Sequence, residues 1–176
     1  MTQIAYTQRV CDDQAAIGSF LESQRIGVLG LETPDGPYAV PVNFLWHRGA
    51  IYFHGMGSGR KVDVLRGGPR ACFTVFHEDG TVTDPMPCHA DTAYTSVLVF
   101  GDAEEISDPA ESAEILQLLV EKFLPGQYNN RLTGKLVENY RSGMDNRPVA
   151  VFKISPTQIT AKQNRADQAD IFEPQA

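Results

Sequence analysis

The sequence predicts a mostly-β fold, an antiparallel barrel with helices at its periphery. Three observations lead there. Apolar segments of strand length, bounded by Gly, Pro, Asp and Asn, recur along most of the chain. Successive segments are joined mostly by turns too short for a crossover, which favours antiparallel pairing. The helical segments do not alternate with the strands, which excludes a doubly wound parallel sheet.

The elements follow in order. Residues 12–24, DDQAAIGSFLESQ, predict a helix capped by Asp12 or Asp13, with Ile17, Phe20 and Leu21 on one face. IGVLGLE, 26–32, predicts a strand, and TPDGP, 33–37, supplies the turn of a hairpin. The returning strand is PYAVPVNFLW, 37–46; after the turn at His47, Arg48 and Gly49 comes the strand AIYFH, 50–54. A short helix is expected at about 60–66, ended by Gly67-Gly68-Pro69. RACFTVFH, 70–77, predicts a strand, and 78–93 carries breakers without periodicity and predicts a loop. YTSVLVFGDAEEI, 94–106, predicts a long strand with a bend or bulge at Gly101. Asp108-Pro109 opens a helix over 109–123 that buries Ile115, Leu118, Leu119 and Phe123. A further helix is expected within 131–141, and RPVAVFKI, 147–154, predicts the last strand, the sixth. The tail from Gln163 is polar and is expected to be loose.

The chain as a whole sets bounds. Its 176 residues, 42% apolar and 21% charged, suit one globular domain, expected over 1–162 with a polar tail at 163–176. The net charge of -7 gives no global pull toward nucleic acid or an anionic membrane. No apolar run has the length of a membrane span. MTQIAYTQRVCDD lacks the apolar core of a signal peptide, so a cytoplasmic location is expected. Cys11, Cys72 and Cys88 are odd in number, show no metal-type spacing and are read as reduced thiols.

Against this acidic background one stretch stands out, YFHGMGSGRKVDVL at 52–65. From Gly57 to Arg70 the basic residues Arg60, Lys61, Arg66 and Arg70 face a single acid, Asp63, a local charge of +3. Glycines let backbone N–H groups turn toward an anion, Ser58 adds a hydroxyl, and Arg60 and Lys61 add charge-assisted donors. These parts suit a phosphate; the same residues also suit a glycine-rich turn with solvated charges. The stretch lacks P-loop spacing, with Val62 where a metal-binding hydroxyl belongs, and it does not open a Rossmann helix.

The segment GPYAVPVNFLWHRGAIYFHGMGSGRKVDVLRGGPRACFTV and the later YTSVLVFG at 94–101 resemble the pyridoxamine-5′-phosphate oxidase-like, FMN-binding split-barrel superfamily. The likeness is nearest to its 5-nitroimidazole-resistance branch, with Arg9 matching an arginine before the first helix. The resemblance implies a six-stranded antiparallel Greek-key split barrel and a homodimer with FMN at the interface. It implies that Val40, Pro41, Val42 and Asn43 line the isoalloxazine, that Ser58, Gly59, Arg60 and Lys61 hold the phosphate, and that Ser96 and His54 face the flavin. The loop 78–93, with Pro85, Pro87, Cys88 and His89, matches no pattern of that family.

The resulting expectation is an FMN-dependent reductase. A nicotinamide nucleotide is the reductant, a nitroaromatic or quinone-like molecule the acceptor, and His54 the candidate catalytic group. FAD, a deazaflavin or haem are the alternative cofactors. Haem would need an axial histidine, for which His54, His77 and His89 are the candidates. A non-catalytic flavin module is the binding-only alternative. His54 can equally cap a backbone carbonyl, His47 is expected in solvent, and Trp46 is read as core or cofactor-facing. Cys88-His89 lacks a third ligand for a metal.

Overall fold

The computed structural model describes residues 6–173. Helix α1 (Gln14–Ser23) is capped by Asp13, whose carboxylate accepts from the Ala15 and Ala16 N–H groups at 3.0 and 3.1 Å. It buries Ile17 and Leu21. Strands β1 (Ile26–Thr33) and β2 (Gly36–Asn43) form the first hairpin, and β3 (Leu45–His47) and β4 (Ala50–Gly55) the second. A six-residue helix, α2 (Arg60–Leu65), leads to β5 (Arg70–Val82) and β6 (Asp91–Glu105). Helices α3 (Pro109–Phe123) and α4 (Gly134–Asn139) precede β7 (Ala150–Asn164). Every strand pairing is antiparallel.

There are seven strands, not six, because the stretch read as one strand over 37–46 is broken at Phe44. Phe44 turns into the core, fully buried, while its N–H donates to the Arg25 carbonyl at 3.2 Å. The sheet order is β2-β1-β5-β6-β7-β4-β3. The two edge strands are therefore neighbours in sequence, joined through one residue, and the sheet curls around a single core. Pro37 and Pro41 sit on edge strand β2, where a missing N–H costs no ladder bond. Inside, Phe73 meets Phe44 edge-on with centroids at 5.1 Å and stacks with Phe53 at 6.3 Å; Phe53 stacks in turn with Phe152 at 5.6 Å.

Three further expectations are corrected. The loop expected at 78–93 is shorter, confined to 83–90, since β5 continues to Val82 and β6 starts at Asp91. A register shift between Glu78 and Gly80, with Gly80 at φ +136°, absorbs the breakers. The last strand runs ten residues beyond Ile154, because β6 offers it a partner along its whole length. The tail beyond β7 is tied down: Ile171 bridges Val82, and the Phe172 N–H donates to the Thr81 carbonyl at 2.8 Å. Residues 174–176 of that tail lie outside the described part. The bulge expected at Gly101 is present, between Phe100 and Gly101. No helix among the described residues is long and apolar enough to cross a membrane.

Candidate functional site

Helix α3 stands on β4 and β7 through Ile115 and Leu119, which pack with Ala50, Tyr52 and Val151. Asp108 caps it, accepting from the Ala110 N–H at 3.0 Å. Between this helix, α4 and the open end of the barrel lies a groove of about 900 Å³. Asn43 at the end of β2, His54 and Gly55 at the end of β4, and Lys61 on α2 form its polar end. The rest of its wall is mostly apolar, with Leu116, Val120 and Phe123 from α3 and Leu136 and Val137 from α4, and Arg25, Tyr140 and Ser142 add polar groups to it.

The alternating glycines make this end of the groove possible. A Cβ on Gly55 would stand 3.0 Å from the Lys61 Nζ, so glycine lets the lysine lie across the strand end. A Cβ on Gly57 would collide with the Pro148 carbonyl. Gly59, with φ +107°, turns the chain into α2 through a conformation closed to other residues. Lys61 lies half-buried, its Nζ 6.0 Å from the Phe53 ring centroid. It makes no ion pair or side-chain hydrogen bond among the described residues, and desolvation holds its pKa below the ordinary lysine value. An anion placed beside it would remove that penalty.

The other cations of the stretch are already engaged. Arg60 Nη2 donates to Thr33 Oγ1 at 3.1 Å and approaches Asp35 at 3.8 Å, with the guanidinium 5.0 Å from the Tyr38 ring centroid. Arg66 makes a two-toothed contact with Glu105, at 2.8 and 3.1 Å. Ser58 Oγ lies 2.9 Å from the Asp145 carboxylate and donates to it. Of the expected phosphate group, only Lys61 reaches the groove. Asp145→Asn, which keeps the shape and removes the charge beside Ser58, is expected to tighten FMN binding by about 0.5–1.5 kcal/mol, the range for one ordinary hydrogen bond. Equilibrium flavin titration checks this, and unchanged or weaker binding would show that Ser58 stays committed to its own loop.

The remaining expected residues divide between core and sheet. Val42 is buried in the core, so it offers a ligand only backbone groups, while Val40 packs against the core and stays partly exposed. Pro41 is exposed on β2. Ser96 lies far along β6, in register with Phe76 and Lys162, on the outer face of the sheet. That face is apolar and uncovered: Ile26 is 59% and Phe76 62% exposed, beside partly exposed Val28, Leu98 and Phe100. Trp46 packs against the core. His47, expected in solvent, is half-buried at the end of β3, and its Nε2 is buried without a partner among the described residues. Cys88 is exposed, and His89 pairs with Asp84 at 3.4 Å. No three His, Cys, Asp or Glu side chains among the described residues could share a metal ion.

His54 lines the groove at the end of β4 with its side chain still open to solvent, and desolvation, with the Lys61 charge adding to it, lowers its pKa. A lowered folded-state pKa means that the unfolded chain binds the proton more readily. Stability therefore rises with pH up to the ordinary value of about 6.5 and falls on acidification below it. His54→Gln is expected to flatten part of this acid slope in urea midpoints measured from pH 5 to 8; an unchanged slope would show that His54 titrates alike in the folded and unfolded chain.

The site is an antiparallel barrel whose open end carries an ammonium, unpaired among the described residues, beside a mostly apolar groove. The chain belongs to the pyridoxamine 5′-phosphate oxidase family, whose profile matches residues 13–163. Among solved structures it is similar to a flavocytochrome from Azotobacter vinelandii, with 25% identity, a TM-score of 0.76, and coverage of 96% of this chain and 77% of that one. It is also similar to an FAD and heme binding protein from Mycobacterium smegmatis, with 19% identity, a TM-score of 0.76 and coverage of 90% and 74%. A third likeness is to a structure described as a 5-nitroimidazole antibiotic resistance protein from Bacteroides thetaiotaomicron, at 23% identity and a TM-score of 0.65, covering 87% of this chain and 85% of that one. The last two likenesses show the fold alone. A search of curated proteins returned no match.

Residues that sequence reading missed are Arg25, Asp145 and the α3–α4 wall. Arg25 carries one sequence signal, a lone cation between a helix and a strand. Asp145 carries none, since its meeting with Ser58 spans 87 residues of chain.

Proposed function

We propose that this chain binds FMN and reduces small aromatic acceptors with it. The observation that carries this reading is Lys61, an ammonium without a partner among the described residues, at the polar end of a groove with apolar walls. Membership of the family supports it, as do the flavin-binding relatives named above. Lys61 holds the phosphate. The Asn43 amide, at the same end, offers both a donor and an acceptor to the polar edge of the flavin ring. The α3 wall excludes water. His54, its pKa held low, is neutral near pH 7 and donates a hydrogen bond to the acceptor. Bound flavin supplies a two-electron relay. The net reaction balances as a nitro group, a reduced nicotinamide nucleotide and a proton giving a nitroso group, the oxidised nucleotide and water. FAD or a deazaflavin would use the same phosphate contact. The exposed apolar face of β1, β5 and β6 supports a homodimer with the cofactor at its interface. A cytoplasmic location accompanies this reading.

The experiment is anaerobic mixing of the purified protein with NADH or NADPH. Loss of the oxidised flavin bands, and their return on adding a nitroaromatic or a quinone, supports the reductase. Bands untouched by either nucleotide would reduce the reading to a flavin-binding module. Haem is the second reading, favoured by the two relatives with a TM-score of 0.76, a flavocytochrome and an FAD and heme binding protein. His54, the one histidine lining the groove among the described residues, would be its axial ligand. A Soret band in the same sample supports haem over the flavin-only reading.

A further inference from the structure

The groove is lined by Arg25, His54 and Lys61 and by no carboxylate among the described residues, in a chain whose net charge is -7. Arg25 comes from the short link between α1 and β1. Its guanidinium carbon stands 4.6 Å from the Phe123 ring centroid. Like Lys61, its side chain makes no ion pair or hydrogen bond among the described residues, and it remains exposed. If Lys61 serves a cofactor phosphate, Arg25 is a second cation in the groove with no ion-pair partner among the described residues.

We propose that the groove beneath α3 and α4 binds an aromatic carboxylate, with the carboxylate on Arg25 and the ring among Leu116, Val120, Phe123 and Leu136. The planar guanidinium matches a carboxylate with two parallel donors, and its position over the Phe123 ring holds it at the groove wall. The walls require an apolar body, since a polar one would lose its water without replacement partners. A cationic ligand meets only like charge. The volume of about 900 Å³ leaves room for a ring beside a cofactor head group. The binding is independent of the flavin. That this anion is the electron acceptor, as a nitrobenzoate would be, rests on the reductase reading above.

The test is calorimetric titration of the purified protein with 2-naphthoate and with neutral 2-naphthamide. The wild-type protein is expected to prefer the naphthoate by about tenfold or more, the order of a charge-assisted pair. Arg25→Gln should erase the preference while leaving naphthamide affinity within about twofold. A second variant, Leu136→Asp, places a carboxylate on an exposed position of the wall and should weaken naphthoate more than naphthamide. Equal affinity of the wild type for both ligands, or a naphthoate preference that survives Arg25→Gln, overturns the proposal. Flavin content is read from the absorption spectrum of the same samples. Naphthoate selectivity in a protein that takes up no flavin would sink the reductase reading and keep this one.

Discussion

Replacing Phe53 with alanine is expected to destabilise the protein by about 3–5 kcal/mol, the range for removing a buried phenylalanine. For a chain of this size that lowers the melting temperature by roughly 6–20 °C. Phe53 is fully buried and is the middle ring of a stack, 6.3 Å from Phe73 on one side and 5.6 Å from Phe152 on the other. Those partners belong to β5 and β7, strands that are not neighbours in the sheet. The ring therefore ties opposite parts of the curled sheet together, and a methyl group leaves a void that neither partner can close without off-rotamer movement. Phe53→Leu keeps much of the volume and should cost well under half as much. Thermal melts of both variants check this. A loss below about 1 kcal/mol for the alanine variant would mean that the stack is not the centre of the core.

Lys61→Ala is expected to weaken FMN binding by about 1.5–3 kcal/mol, the range for a hydrogen bond to a charged group. The lysine pays for its position in desolvation that no ion pair or side-chain hydrogen bond among the described residues offsets. Its removal should therefore leave stability unchanged or slightly raised while the flavin is lost. That pairing separates a ligand-binding lysine from a structural one, whose removal would lower both. Arg60→Ala gives a contrast: its guanidinium is held by Thr33 and Asp35 and stacked on Tyr38, so its loss should loosen the β1–β2 hairpin more than the phosphate. Fluorescence titration with FMN beside urea melts measures both quantities. Equal FMN affinity for Lys61→Ala and wild type would place the phosphate elsewhere.

How far the fold could be read depended on whether the signal was local. Helix α3 runs from Pro109 to Phe123, the range that the sequence implied, because Asp108-Pro109 and the breaker after Phe123 are local chemistry. The bulge at Gly101 was legible for the same reason: a side chain there would strike the Ser155 carbonyl, and only glycine avoids it. The break at Phe44 was not, because an apolar residue within an apolar run gives no sign that it will turn inward and pass the chain from one sheet edge to the other. The far half of β7, with Pro156, Thr157 and Gln158, reads as loop until β6 is there to pair with it.

The site divides the same way. Lys61 was found because glycine spacing and local charge mark it, and His54 and Asn43 joined it through the resemblance. Ser58 and Arg60 share that local signal, yet distant partners, Asp145 and the Thr33–Asp35 turn, hold their side chains away from the groove. The groove wall depends on how α3 and α4 dock, which no short segment encodes.

Comparison of FMN with riboflavin decides whether Lys61 holds a flavin phosphate. The two share the ring and the ribityl chain and differ in the phosphate. Flavin-free wild-type protein should bind FMN about tenfold or more tighter than riboflavin, and Lys61→Ala should bring the two together. Equal affinity of the wild-type protein for FMN and riboflavin would mean that Lys61 holds no phosphate.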